Sequence, residues 1–153
     1  MLRKLALLRS AAARFKSTAS SDGNPGKTTV SPLSIQSGPV VIEQRSKFQA
    51  HIARINSASD AARLVEHVRT LKTNKKATHF MQAYVLRNGA CSDDGEKGAG
   101  DVMLRVLRAT GQSDVAAVVV RWYGGVNMGG ARFRAIGGVL KNLITNNPSH
   151  SDK

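Results

Sequence analysis

The chain has 153 residues, of which 41% are apolar and 22% charged, which suits one globular core plus a tail and rules out collagen-like or wholly disordered chains. Its longest unbroken apolar run, Val115 to Val120, is far below the ~20 residues of a membrane-spanning helix, so no membrane is expected. The single cysteine, Cys91, excludes an internal disulfide and a cysteine-built zinc site, and 23 Lys and Arg against 10 Asp and Glu give a net charge of +13 that makes RNA or DNA a candidate partner.

Residues 1–21 carry Arg3, Lys4, Arg9, Arg14 and Lys16 and no acid. Arg9 breaks the apolar stretch that a secretory signal needs, and a basic, Ser-containing, amphipathic segment predicts a mitochondrial transit peptide. The expected address is therefore the mitochondrial matrix. Setting this segment aside leaves 18 bases against 10 acids, or +8. Residues 22–38 are rich in Gly, Pro, Ser and Thr and predict a linker. The body is expected over 39–146, with 147–153 as a frayed tail.

Within the body, Val40-Val41-Ile42 predicts a short strand. Phe48, Ala50 and Ile52 alternate with Lys47, Gln49 and His51, the period of a strand with one wet face. Ser57 to Lys72 predicts a helix, with Ser57 and Asp60 resembling a capping box and Ala61, Leu64, Val65, Val68 and Leu71 forming the apolar stripe. His79 to Leu86 predicts a third strand, followed by a polar loop. Asp101 is expected to cap a second helix that Gly111 ends. Val115 to Trp122 predicts a central strand covered on both sides. After the Gly124–Gly130 loop, Ala131 to Asn146 predicts a last helix, with Gly137 and Gly138 marking a close approach. The order β-β-α-β-α-β-α predicts an α+β two-layer sandwich: a mixed four-stranded sheet with three helices on one face and the face bearing Lys47, Gln49 and His51 partly open.

Two glycine-rich segments hold the candidate chemistry. In Ser92 to Gly100, Asp93, Asp94 and Glu96 put three carboxylates within four residues. They could attract a hard cation, although the spacing is not an EF-hand. Alternatively they cap backbone N–H groups and pair with arginines. In the second segment, Arg121, Trp122, Tyr123, Gly124 and Gly125 lead to Arg132 and Arg134. Glycine N–H groups beside arginines suit an anion, and the aromatics could stack on bases or anchor a protein interface. No P-loop is present. His79 reads as a polar support residue, and a pairing with Cys91 would rest on spatial coincidence. No catalytic grouping, cofactor site or metal site is assigned, so the reading is of a non-enzymatic protein whose interaction surface is built from the acidic loop and the Arg-aromatic loop.

Ala77-Thr78-His79, Ser92-Asp93-Asp94-Gly95-Glu96 with Ala99-Gly100, Val118 to Gly125, and Gly129 with Arg132-Phe133 together resemble the IMPACT family, which includes bacterial YigZ-type proteins; Ser46-Lys47-Phe48 fits as well. The resemblance spans about residues 40–145 and is nearer the eukaryotic branch. It implies a two-layer domain of the ribosomal-protein second-domain-like superfamily. It also implies regulators of translation or the stress response that restrain the general amino-acid-control kinase by competing for its activator, and that associate with actin. For bacterial members, nucleic-acid binding is the implied role. A protein partner of the translation-control machinery is therefore expected, with RNA or DNA as the alternative. A metal-dependent hydrolase ranks below both.

Overall fold

The computed structural model describes residues 31–147; the transit-like segment, residues 22–30 and residues 148–153 lie outside the described residues. Among the described residues six strands and three α-helices follow one another as β1 (Ile35–Ser37), β2 (Val41–Glu43), β3 (Ser46–Arg54), α1 (Ala58–Thr70), β4 (His79–Val85), β5 (Gly89–Ser92), α2 (Ala99–Ala109), β6 (Val115–Trp122) and α3 (Ala131–Asn146). The sheet order is β1-β3-β6-β4-β5, with β2 also paired to β3, and every pairing is antiparallel.

The expected mixed sheet of four strands is thus an antiparallel sheet of six. The two strands missed are the short edge pieces. β1 lies inside the segment expected to be linker, and β5 lies inside the loop after β4. Neither has the length or alternation to announce itself, and each is held by the ladder of its neighbour.

The helices are also distributed differently from expectation. Phe48, Ala50, Ile52, Met81, Ala83, Val115, Ala117 and Val119 pack with residues of α2 and α3 on one face. Ala53, Phe80, Ala116, Val118 and Val120 pack with Ala61, Leu64, Val65 and Val68 of α1 on the other. All six residues from Val115 to Val120 are buried, because β6 is central and has a helix layer on each side. The wet face of β3 is only partly wet: Lys47 is exposed and Gln49 half-buried, while His51 is 2% exposed.

Helix termini follow local chemistry. Ser57 Oγ accepts from the Asp60 amide at 3.3 Å, and Asp60 accepts from the Asn56 amide at 2.9 Å, a reciprocal cap displaced by one residue from the usual box. That Asn56 contact holds the Asp60 carboxyl below its ordinary range. At the end of α2, Gly111 takes φ 70°, and the bonds Gln112 N–H to Leu107 O and Gly111 N–H to Arg108 O form a Schellman closure. Asp101 does not cap α2, since the helix begins two residues earlier, at Ala99. Gly137 lets α3 approach α2, where an added Cβ would lie 3.3 Å from Val102; Gly138 meets nothing.

His51 supplies a pH dependence. Its Nδ1 lies 2.7 Å from Ser37 Oγ, and its Nε2 is buried without a hydrogen-bond partner. Burial, and then the nearby His67, lower its pKa from 6.5 to about 4. The unfolded chain therefore takes up this proton before the folded one does. Stability is complete above pH ~6.5 and falls as pH drops toward 4, by up to about 3 kcal/mol. Urea unfolding across that range should show the slope, and His51→Gln should flatten it; equal slopes in the two proteins would contradict this origin.

Candidate functional site

Strand register builds the site. Arg121, the seventh residue of β6, is paired across the sheet with Phe48 on one side and His79 on the other. Its guanidinium lies 5.6 Å from the Phe48 ring and 5.5 Å from the Tyr123 ring, within cation–π range. The loop from Ser92 to Gly98 carries Glu96 to this point. Arg121 donates to Glu96 Oε1 in a short bond, His79 Nε2 lies 3.3 Å from the same oxygen, and Arg132 Nε lies 3.0 Å from Oε2. Three cationic or polar side chains from two strands and a helix thus share one carboxylate. Glu96 is 7% exposed and Arg121 4%, so the pair depends on its partners rather than on water.

The remaining acids of the loop also face inward. Asp93 accepts from the Gly98 amide at 3.0 Å and the Gly100 amide at 2.7 Å, which supplies the cap that Gly98 cannot give α2. Asp94 Oδ2 accepts from the Phe80 amide at 2.7 Å and lies 3.4 Å from Arg69 of α1. The Asp94 carbonyl accepts from His79 Nδ1 at 2.6 Å. These carboxylates thus cap backbone N–H groups and pair with arginines. Among the described residues, no three of His, Cys, Asp and Glu are grouped to hold a metal ion. Cys91 lies 3.6 Å from Asp101; partial burial and then that carboxylate raise its pKa above the usual thiol range.

The second loop is clamped as tightly. The Gly124 amide donates to the buried Ser46 hydroxyl at 3.3 Å, and the Tyr123 amide donates to Thr78 Oγ1 at 2.9 Å. The β2–β3 turn, where Gln44 and Arg45 take left-handed φ of 46° and 68°, presses its Arg45 carbonyl against Gly124. The acidic loop and the Arg-aromatic loop therefore lie side by side. Glu96 and Arg121 are not a free surface, however; each occupies the other. Arg134 is exposed on α3 and lines neither cavity described below, and Gly125 is exposed with φ 88°.

Two cavities flank Tyr123, whose side chain is 52% exposed. On the α1 face a groove of about 540 Å³ is lined by Val40, Arg45, Lys47, Gln49, Thr73, Lys76, Trp122 and Tyr123. No acid borders it. Exposed Ile42 of β2 pairs across from Lys47 of its lining. On the opposite side an open cleft of about 340 Å³ is lined by Thr78, His79, Gly95, Glu96, Arg121, Tyr123, Asn127 and Arg132. Ser46, Thr78, Arg69 and Asn127 were not among the expected site residues. Each acts through long-range or turn hydrogen bonds or ion pairs that leave no periodic trace in the sequence.

Residues 44–144 match the family described as Impact N-terminal domain. Protein IMPACT homolog of Caenorhabditis elegans is 34% identical over 135 residues, covering 80% of this chain and 51% of that protein. Protein IMPACT homolog of Dictyostelium discoideum is 37% identical over 116 residues, covering 72% and 34%. This chain thus spans about half or less of the length of these relatives. Among solved structures, a crystal structure of a hypothetical protein superposes with a TM-score of 0.66 at 32% identity, covering 71% of this chain and 56% of that one. The two-domain translational regulator Yih1 gives 0.51 at 26% identity, covering 76% and 48%. By the extent of this match and the motifs that carry it, the chain belongs to the IMPACT family.

Proposed function

We propose that this protein is a non-enzymatic regulatory adaptor of translation control, and that it holds an acidic segment of a partner protein in the groove beside Trp122 and Tyr123. One observation carries the reading. The carboxylates of the acidic loop are all engaged within the fold, whereas the adjacent groove presents Arg45, Lys47 and Lys76 around two aromatic side chains with no acid among its lining residues. Aromatic anchors ringed by cations suit recognition of an acidic surface. The relation to translation rests on kinship with a protein described as a translational regulator. The basic, transit-like residues 1–21 support a mitochondrial site of action, which imaging of the tagged full chain beside a version beginning at Asp22 tests; cytosolic signal from both would contradict it.

The same cations and aromatics also favour a second reading, single-stranded nucleic acid in the groove. Affinity capture with the full chain, with and without ribonuclease, separates the two. Capture of a translation-control protein that survives ribonuclease and is lost in Tyr123→Ala supports the adaptor. Capture that vanishes with ribonuclease, and whose strength falls steeply with salt, replaces it with the second reading.

A further inference from the structure

The cleft on the opposite side of Tyr123 has an imbalance that the adaptor reading does not use. Two guanidiniums, Arg121 and Arg132, converge on the single carboxylate of Glu96, with His79 beside them. Both guanidiniums lean on this one carboxylate, so the cluster carries one more positive than negative charge. Arg121, 4% exposed, retains an Nε–H without a hydrogen-bond partner. Arg132 Nε sits at ion-pair distance from Glu96 without a hydrogen bond, while its Nη1 donates to the Gly129 carbonyl at 2.8 Å. A buried donor left unpaired is costly, and a cluster with excess positive charge lining a cleft is a standing attraction for an anion.

The rest of the lining adds donors. Thr78 Oγ1 accepts from the Tyr123 amide, which leaves its hydroxyl hydrogen free to donate. Asn127 Oδ1 accepts from the Gly129 amide at 3.2 Å, which fixes the amide orientation and leaves the Asn127 nitrogen as a donor. Thr78, Asn127 and Arg132 thus approach one space of about 340 Å³ from a strand edge, a loop and a helix. Donors converging from three sides match a tetrahedral oxyanion better than a planar carboxylate, and guanidinium is well suited to phosphate.

We propose that this cleft binds a phosphate group, with Arg132 as the principal cation, Thr78 and Asn127 as neutral donors, and Glu96 and Arg121 as the frame that holds them. The phosphate has two sources of identical chemistry, a mononucleotide or the backbone of a nucleic acid. In either case the half-exposed Tyr123 ring offers a face for a base. Of its lining residues the cleft shares only Tyr123 with the groove, so phosphate binding through Thr78, Asn127 and Arg132 does not depend on which macromolecule the groove takes.

The test is an NMR titration of the full chain with sodium phosphate, with sodium chloride and sodium acetate at matched ionic strength as controls. Phosphate should give saturable shifts at Thr78, His79 and Asn127 that neither control reproduces. Asn127→Asp keeps the acceptor for the Gly129 amide but replaces the donor with a negative oxygen, so the fold is retained and phosphate binding should weaken about tenfold or more. Adenosine monophosphate and a short oligouridine then identify the source: tighter binding of the first points to a mononucleotide, and of the second to a nucleic-acid backbone. Shifts that do not saturate, an equal response to acetate, or unchanged binding in Asn127→Asp would overturn the proposal. Asn127 does not line the groove, so partner capture by Asn127→Asp keeps this result distinct from failure of the adaptor reading.

Discussion

Glu96→Gln is expected to destabilise the protein by about 3 kcal/mol, since removing one member of a buried ion pair leaves the other charged and unpaired. For a domain of this size the melting temperature should fall on the order of 10 °C. Geometry decides the size of the effect. The Glu96 and Arg121 side chains are 8% and 5% exposed, and Arg132 and His79 lean on the same carboxylate. An exposed pair would contribute well under 1 kcal/mol. Adding Arg121→Met to Glu96→Gln should restore much of the loss, because an apolar side chain beside Phe48 removes the fully buried charge and leaves only Arg132, which is 26% exposed, without its carboxylate. Thermal unfolding of the two single variants and the double variant measures this coupling. A loss below about 1 kcal/mol in Glu96→Gln would show the pair to be solvated instead.

A methyl group at residue 124 should do comparable damage by a different route. A Cβ on Gly124 would lie 2.0 Å from the Arg45 carbonyl oxygen and 2.3 Å from its carbon. Both are backbone atoms, so no side chain can rotate away. The β2–β3 turn and the Tyr123 loop would have to part, breaking the Gly124–Ser46 hydrogen bond. We expect Gly124→Ala to cost about 3 kcal/mol, the upper part of the range for overpacking, whereas Gly125→Ala at an open position should cost less despite its φ of 88°. Urea denaturation of both variants provides the comparison. A Gly124→Ala protein as stable as its Gly125→Ala counterpart would mean that the turn yields easily.

The parts of the fold legible in the sequence were those with a local period. The apolar stripe of α1, the continuous run of β6 and the spacing of α3 place these elements almost to the residue. The unbroken run from Val115 to Val120 already implies cover on both faces of β6, and α1 provides the second cover, which is why three helices could not share one face. Pairing direction and the edge strands are non-local and left no such mark. At the site, the sequence supplied the residue types but not their exposure. Glu96 and Arg121 are 25 residues apart and meet only because β4 and β6 pair with His79 opposite Arg121. A charged residue in a glycine-rich loop reads as a surface group until the register shows what it faces. Arg45, Lys47 and Lys76 had the opposite character: ordinary basic residues individually, and a groove only when β2–β3, β3 and the segment after α1 are assembled.

The division between a buried frame and an exposed groove is tested most directly by Lys47→Glu combined with Lys76→Glu, with melting temperature and partner capture measured on the same preparation. Both residues are exposed, so the melting temperature should stay within a few degrees of the unaltered protein, while capture of the translation-control partner should be lost. Undiminished capture at an unchanged melting temperature would contradict the assignment of this groove as the contact surface.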